Sequence, residues 1–97
     1  MTNAGLDPRK LEDAASKLRA MAHPMRIAII ELLEKKEQMN VTQIYETLRI
    51  EQASASHHLN ILKNKGVLDS RRDGKNTFYF LKHEALSQMI DCLNRCH

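Results

Sequence analysis

The chain lacks most of what marks a membrane protein, a secreted scaffold or an enzyme. No apolar run approaches the roughly 18 residues of a membrane span. The first residues carry no apolar stretch of the signal-peptide kind, which points to the cytoplasm and away from membranes. Only two cysteines occur, Cys92 and Cys96. They build no disulfide framework and suit a reducing compartment. No repeat, low-complexity stretch or linker interrupts the 97 residues. One domain over 1–97 is expected, with a possible but thin core, so an oligomer would be unsurprising. No phosphate-cradling loop, paired carboxylates or nucleophile–base pair is present. Ser56 and His57 are neighbours on one expected helix, poor geometry for an activated serine. An enzyme is the poorest reading of this chain.

The charge that is present is unevenly placed. Residues 41–82 hold seven Lys/Arg and four Asp/Glu, while the remainder holds eight of each, so the whole net charge of +3 lies on one segment. An excess of this size is weak evidence for nucleic acid by itself. Its location matters more, because the same segment carries Ala55-Ser56-His57-His58-Leu59-Asn60-Ile61-Leu62. Small and polar side chains lead this stretch and an apolar stripe lies behind them. A helix with such a leading face is built to approach another surface closely.

The surrounding pattern gives that helix a setting. Residues 1–8 are expected to fray, with Asp7-Pro8 a helix start. Leu11, Ala14, Ala15, Leu18, Met21 and Ala22 fall at helical spacing and end at His23-Pro24. Pro24 opens a second helix, whose Ile27, Ile30 and Leu33 share a face that Ile29 and Leu32 widen. Lys35 and Lys36 suit its C-terminal end. Asn40 through Gln43 reads as a capping box, opening a helix with Val41, Ile44, Tyr45 and Leu48 inward. After a three-residue connection, a helix from about Gln52 to Lys65 is stopped by Gly66. Two short helices so tightly joined form a helix-turn-helix. Val67 and Leu68 start a strand, Asp73-Gly74 supplies a two-residue turn, and Thr77 to Leu81 return. A last helix from about Glu84 to Arg95 places Leu86, Met89, Ile90 and Leu93 on one face. The expected fold is α+β and mainly helical: a winged helix-turn-helix of four helices, a β-hairpin wing and a C-terminal helix.

Three stretches, in order and correctly spaced, resemble the ArsR/SmtB-type transcriptional repressors. His23-Pro24-Met25-Arg26 is similar to that family's opening of the second helix. Gln52 to Leu62 resembles its recognition helix, most closely at Ser56-His57-His58-Leu59. Arg71 through Tyr79 resembles its wing. The resemblance spans roughly residues 11–96. It implies a homodimer, joined through terminal helices, that represses transcription at a double-stranded operator of two half-sites and is released by an inducer. Two positions depart from the family pattern: Arg49 stands where glycine is typical of the turn, and Glu51 where serine precedes the glutamine.

The residue chemistry fits that role. Gln52, Ala53, Ser54, Ser56 and His57 lie where a groove-inserted helix meets base edges. Glutamine can bond bidentately to adenine, and serine serves several bases. Ala53 and Ala55 keep the surface low, and either could meet a thymine methyl. Arg71, Arg72, Lys75 and Asn76 are wing candidates for phosphate or minor-groove contact. Adjacent helical residues point about 100° apart, so His57 and His58 cannot easily share one metal ion. His58, beside Leu59, is expected to pack or hydrogen-bond inside the domain.

Sensing is less fully encoded. The family's cysteine site at the start of the helix before recognition falls on Met39 to Gln43, which contains no cysteine. At its C-terminal site, His83 stands at the first ligand position, Ala85 at the second and Cys96 at the third. A tetrahedral zinc site of the usual kind is therefore not expected. Cys92 and Cys96, one helical turn apart, could hold a soft metal such as zinc together with His97, or be oxidised. The plain alternative is a pair of small apolar residues at a dimer contact. A winged helix used for protein contact, with no operator of its own, is the competing function.

Overall fold

A computed structural model describes residues 7–82 of the chain. The expected C-terminal helix, with Cys92 and Cys96, lies outside the described residues, as do His83 and His97. Four helices and three strands follow in order: α1 Pro8–Met21, α2 Pro24–Lys36, β1 Gln38–Asn40, α3 Val41–Leu48, α4 Gln52–Asn64, β2 Leu68–Asp73 and β3 Asn76–Leu81. Pro8 and Pro24 each sit in the first turn of a helix, where the missing N–H costs nothing. Asp7 caps α1 by accepting from the Arg9 backbone. Asp7 and Pro8 are thus the cap and first residue of a helix, the start that their pairing predicts, and not part of a frayed end. The Asn40/Gln43 capping box opens α3 as the spacing predicts: each side chain accepts from the other residue's backbone N–H.

The core is a single cluster beneath the sheet. Ile29, Ile30 and Leu33 of α2, Ile44 of α3, and Leu59 and Leu62 of α4 pack with Met39, Val67, Leu68 and Leu81. On α2 the buried face differs from expectation, because Ile27 is 47% exposed. Ile29 and Leu33, four apart, define the inner face, and Ile27 lies about 200° from Ile29 around the helix. Spacing by threes, as in Ile27, Ile30 and Leu33, drifts around the cylinder and mixes two faces.

Strand β1 has no counterpart among the predicted elements. It pairs antiparallel with β3, Met39 opposite Tyr79, so the sheet runs β1-β3-β2. Register divides its two faces. Met39, Tyr79, Leu81 and Leu68 face the helices, whereas Gln38, Asn40, Phe78, Phe80 and Arg71 face the other way. The wing turn is also shifted by one residue. Asp73 pairs with Asn76, leaving Gly74-Lys75 as the loop. Gly74 has a positive φ of 64°, as a type II′ turn asks of its first central residue.

The connections around α4 use one motif twice. After α4, Gly66 N–H bonds to the Lys63 carbonyl and Val67 N–H to the Leu62 carbonyl. After α3, Arg49 N–H bonds to the Glu46 carbonyl and Ile50 N–H to the Tyr45 carbonyl. Both are Schellman closures, which need a left-handed residue one place past the helix. Gly66 meets that need at φ 79° without strain; Arg49 meets it at φ 56°, ψ 46° with a side chain attached. A β-carbon in this region costs about 1–2 kcal/mol. The Arg49→Gly variant should therefore gain about 0.5–1 kcal/mol after its greater unfolded-chain freedom is subtracted. Thermal denaturation should show a rise of roughly 4 °C; an unchanged or lower midpoint would mean the turn carries no strain.

Candidate nucleic-acid interface

The recognition helix is set by its own two-faced sequence. Ala55, His58, Leu59 and Leu62, at i, i+3, i+4 and i+7, are all buried. That stripe seats α4 on α2, α1 and β2. The opposite face is then fixed by geometry: Gln52, Ala53, His57 and Asn60 are exposed and Ser56 is half-buried beside them. Ser54 is half-buried on the flank. Ala55 cannot meet a thymine methyl, because it is fully buried against the core; of the two alanines, only Ala53 keeps the outer surface low. Asn60 belongs to the outward face but was not among the predicted residues. Its spacing of three from His57 is the signal that places it there.

The helix begins at Glu51, which accepts the Ala55 N–H through its backbone but makes no side-chain cap. The amides of the first turn therefore remain free of a side-chain partner, beside a carboxylate that suits the helix dipole and opposes an approaching phosphate.

The wing residues do not act as one cluster. Arg71 Nη2 donates to Gln38 Oε1 at 3.1 Å, which draws it across the outer face of the sheet toward β1. Arg72 Nε donates to the Gly74 carbonyl at 3.3 Å and folds onto the turn. Lys75 and Asn76 stand exposed at the tip. Arg72, Lys75 and Asn76 thus share the tip, while Arg71 sits further back.

The histidines of α4 take different roles. His57 is exposed on the outward face of α4. His58 is 8% exposed and accepts from Arg26 Nε through Nδ1 at 3.2 Å, inside the domain as its neighbour Leu59 suggests. His23 caps α2, its Nδ1 accepting from the Met25 N–H. Its ring centre lies 4.7 Å from that of His58. With those two Nδ1 atoms already engaged, the cluster is no metal site. Among the described residues, no three His, Cys, Asp or Glu side chains are arranged to hold an ion. Burial, first, and then the neighbouring His23, Arg26 and His57 lower the pKa of His58 below its ordinary 6.5.

This reading helix, braced by buried partners and followed by a basic hairpin, agrees with known proteins. Residues 23–70 match the family described as "Bacterial regulatory protein, arsR family". The transcriptional repressor PagR of Bacillus anthracis is 39% identical over 84 residues, covering 87% of this chain and 84% of its own. The chain belongs to the arsR family. It is a DNA-binding transcriptional regulator with a winged helix-turn-helix fold, and not an enzyme. The PagR crystal structure superposes with a TM-score of 0.78 at 37% identity, over 90% of this chain and 99% of that one. The repressor SmtB of Mycobacterium tuberculosis is 38% identical over 84 residues, covering 86% of this chain and 62% of its own. A Mycobacterium bovis domain described as a homodimeric winged helix-turn-helix shares the fold at a TM-score of 0.73 and 24% identity, over 97% of this chain and 82% of that one. No helix among the described residues is long and apolar enough to cross a membrane.

Proposed function

We propose that this arsR-family protein is a repressor that binds as a homodimer to an operator of two half-sites. The observation that carries the reading is the outward face of α4. Gln52, Ala53, Ser56 and His57 form a low, hydrogen-bonding surface held rigid by the buried stripe behind it. Such a face suits base edges in the major groove, with Gln52 directed to adenine and the serine and histidine to neighbouring bases. Ser54 sits beside it toward the backbone. Arg72, Lys75 and Asn76 at the wing tip, with Arg71 behind, supply phosphate contact, which positions the helix without reading sequence. The M. bovis domain supports the dimer, which would place two recognition helices on successive major grooves about 34 Å apart.

Release by an inducer is assigned to Cys92 and Cys96, with His97 and His83 as further donors. Four residues apart in sequence, the two thiols would share a side of the helix expected there and could both face a soft ion such as zinc. Alternatively an oxidant can take two electrons and two protons from them to leave a disulfide.

Gel shifts with a duplex of the gene's own promoter test both parts. The expected affinity loss between 50 and 200 mM salt is on the order of 100-fold, as about four neutralised phosphates would give. Oxidant or zinc should weaken the wild type and leave the Cys92→Ser/Cys96→Ser variant unaffected. Equal responses in the two proteins would remove the thiols from sensing. A flat salt dependence would favour a winged helix that contacts protein, a reading to which Glu51 at the helix start lends support.

A further inference from the structure

Two polar residues occupy positions that the packing pattern reserves for core. On α2 the buried residues are Ile29, Ile30 and Leu33, and Arg26 extends the same stripe three residues earlier. On α4 the stripe is Ala55, Leu59 and Leu62, and His58 completes it. The two meet inside the domain. Arg26 Nε donates to His58 Nδ1 at 3.2 Å, and Arg26 Nη1 donates to the Ala20 carbonyl at 3.0 Å. One guanidinium therefore ties the last turn of α1 and the body of α2 to the recognition helix.

This bond fixes the protonation of the ring. A guanidinium has five donors, no acceptor, and does not lose its proton in proteins. Nδ1 of His58 must then carry a lone pair, so the ring is neutral with its proton on Nε2. A protonated ring donates from both nitrogens and offers Arg26 nothing. The charged or titratable groups acting on the ring are His23 from the α1–α2 junction, Arg26 from α2 and His57 from α4 itself, its ring centre 5.5 Å away. None is a carboxylate, and no ionisable group of α3 or β2 is among them. Among the described residues, each of these neighbours opposes a positive His58.

We propose that Arg26 and neutral His58 form a proton-sensitive pin that positions the recognition helix, so that mild acid weakens specific promoter binding. The proposal rests on the reading of α4 as the DNA-reading helix. His57 follows the pinned residue's turn, so loss of the pin moves a group on the reading face. The direction in pH follows from burial and the cationic neighbours, which depress the folded pKa. The unfolded chain, near 6.5, takes the proton first. The pin's contribution to stability is complete above about pH 6.5 and is lost as pH falls from there through the folded pKa, and the bond inside the folded protein, with the preference that depends on it, breaks at that lower pH.

The test compares the full chain with its His58→Asn variant, whose amide oxygen can accept near the Nδ1 position and does not titrate. For the wild type, the preference for a promoter duplex over a scrambled duplex should fall roughly 3- to 10-fold as pH is lowered stepwise from 7.5 through the folded pKa of His58. Using the ratio cancels the gain that any protonated histidine draws from phosphates, and the variant, which keeps His57, carries whatever change His57 makes at the bases. The melting temperature of free wild type should fall on the order of 5 °C over the same range. Both acid losses should be at least halved in the variant. Equal acid losses in the two proteins, or a constant wild-type ratio, overturn the pin. Nitrogen-resolved NMR of the wild type at pH 7.5 gives a measurement independent of the variant's folding: His58 should show the Nε2–H tautomer, and an Nδ1–H or charged ring overturns the proposal. Absence of any preference at pH 7.5 would overturn the operator reading instead, leaving melting and tautomer to decide the pin.

Discussion

Leu59→Ala should lower the melting temperature by on the order of 20 °C, the largest stability effect expected of one substitution here. Leu59 is fully buried and belongs to the cluster joining α2, α3, α4 and the sheet. Removing its branched end forfeits about 2–3 kcal/mol of apolar burial. The cavity left behind adds to that, because neighbours drawn from several elements cannot all close in; leucine-to-alanine changes in cores cost about 3–5 kcal/mol. A domain of this size has only about 5–15 kcal/mol in total, so the loss decides whether the chain stays folded. Ile27→Ala is the natural comparison. That side chain already meets water over 47% of its surface, and its truncation should cost less than about 1 kcal/mol. Thermal denaturation followed by circular dichroism measures both. A drop under about 5 °C for Leu59→Ala would mean that the core is not centred on α4, and the account of how the reading face is held would fail with it.

The same stripe explains how much of the molecule was legible beforehand. Helices α3 and α4 are strongly patterned: α3 opens on a capping box, α4 is stopped by the left-handed Gly66, and both carry an inward stripe at i, i+3, i+4 and i+7. Local sequence determines such elements, so their bounds and the inward His58 could be read directly. Strand β1 could not. Gln38, Met39 and Asn40 are three residues with two polar side chains, and they are a strand only because Phe78 to Phe80, some 40 residues later, offer an open edge. The one-residue shift of the wing turn has the same origin, since pairing of Asp73 with Asn76 set the loop more firmly than the Asp-Gly signal. Ile27 misled because α2 carries five aliphatic residues around its circumference, and only tertiary packing chose among them. At the site, the outward face of α4 is legible in the sequence apart from Ala55 and Asn60, both of which helical spacing alone sorts. Arg26 belongs to the motif that opens α2, but its reach to His58 across 32 residues of sequence exists only in the fold.

Ser56→Ala together with His57→Ala should abolish the preference for the promoter over a scrambled duplex while leaving the protein folded. Both residues lie on the outward face of α4, His57 exposed and Ser56 half-buried, and among the described residues neither side chain takes part in a hydrogen bond. Alanine is the better helix former at both places, so the melting temperature should move little. A good base contact is worth about 1–3 kcal/mol of discrimination. Losing two such contacts, about 2–6 kcal/mol together, removes on the order of 30- to 20,000-fold of preference. Attraction to phosphate, supplied by the wing and the backbone, should survive, so the variant should bind both duplexes at the level the wild type shows for the scrambled one. Its salt dependence near pH 7.5 should match the wild type's, because alanine removes no fixed cation. Titrations of both duplexes at two salt concentrations separate these outcomes. Retained preference would move the reading surface to Gln52 and Asn60, which bracket the pair on the same face. A loss of affinity equal for both duplexes would instead make Ser56 and His57 backbone contacts, and the bases would have to be read from elsewhere on α4.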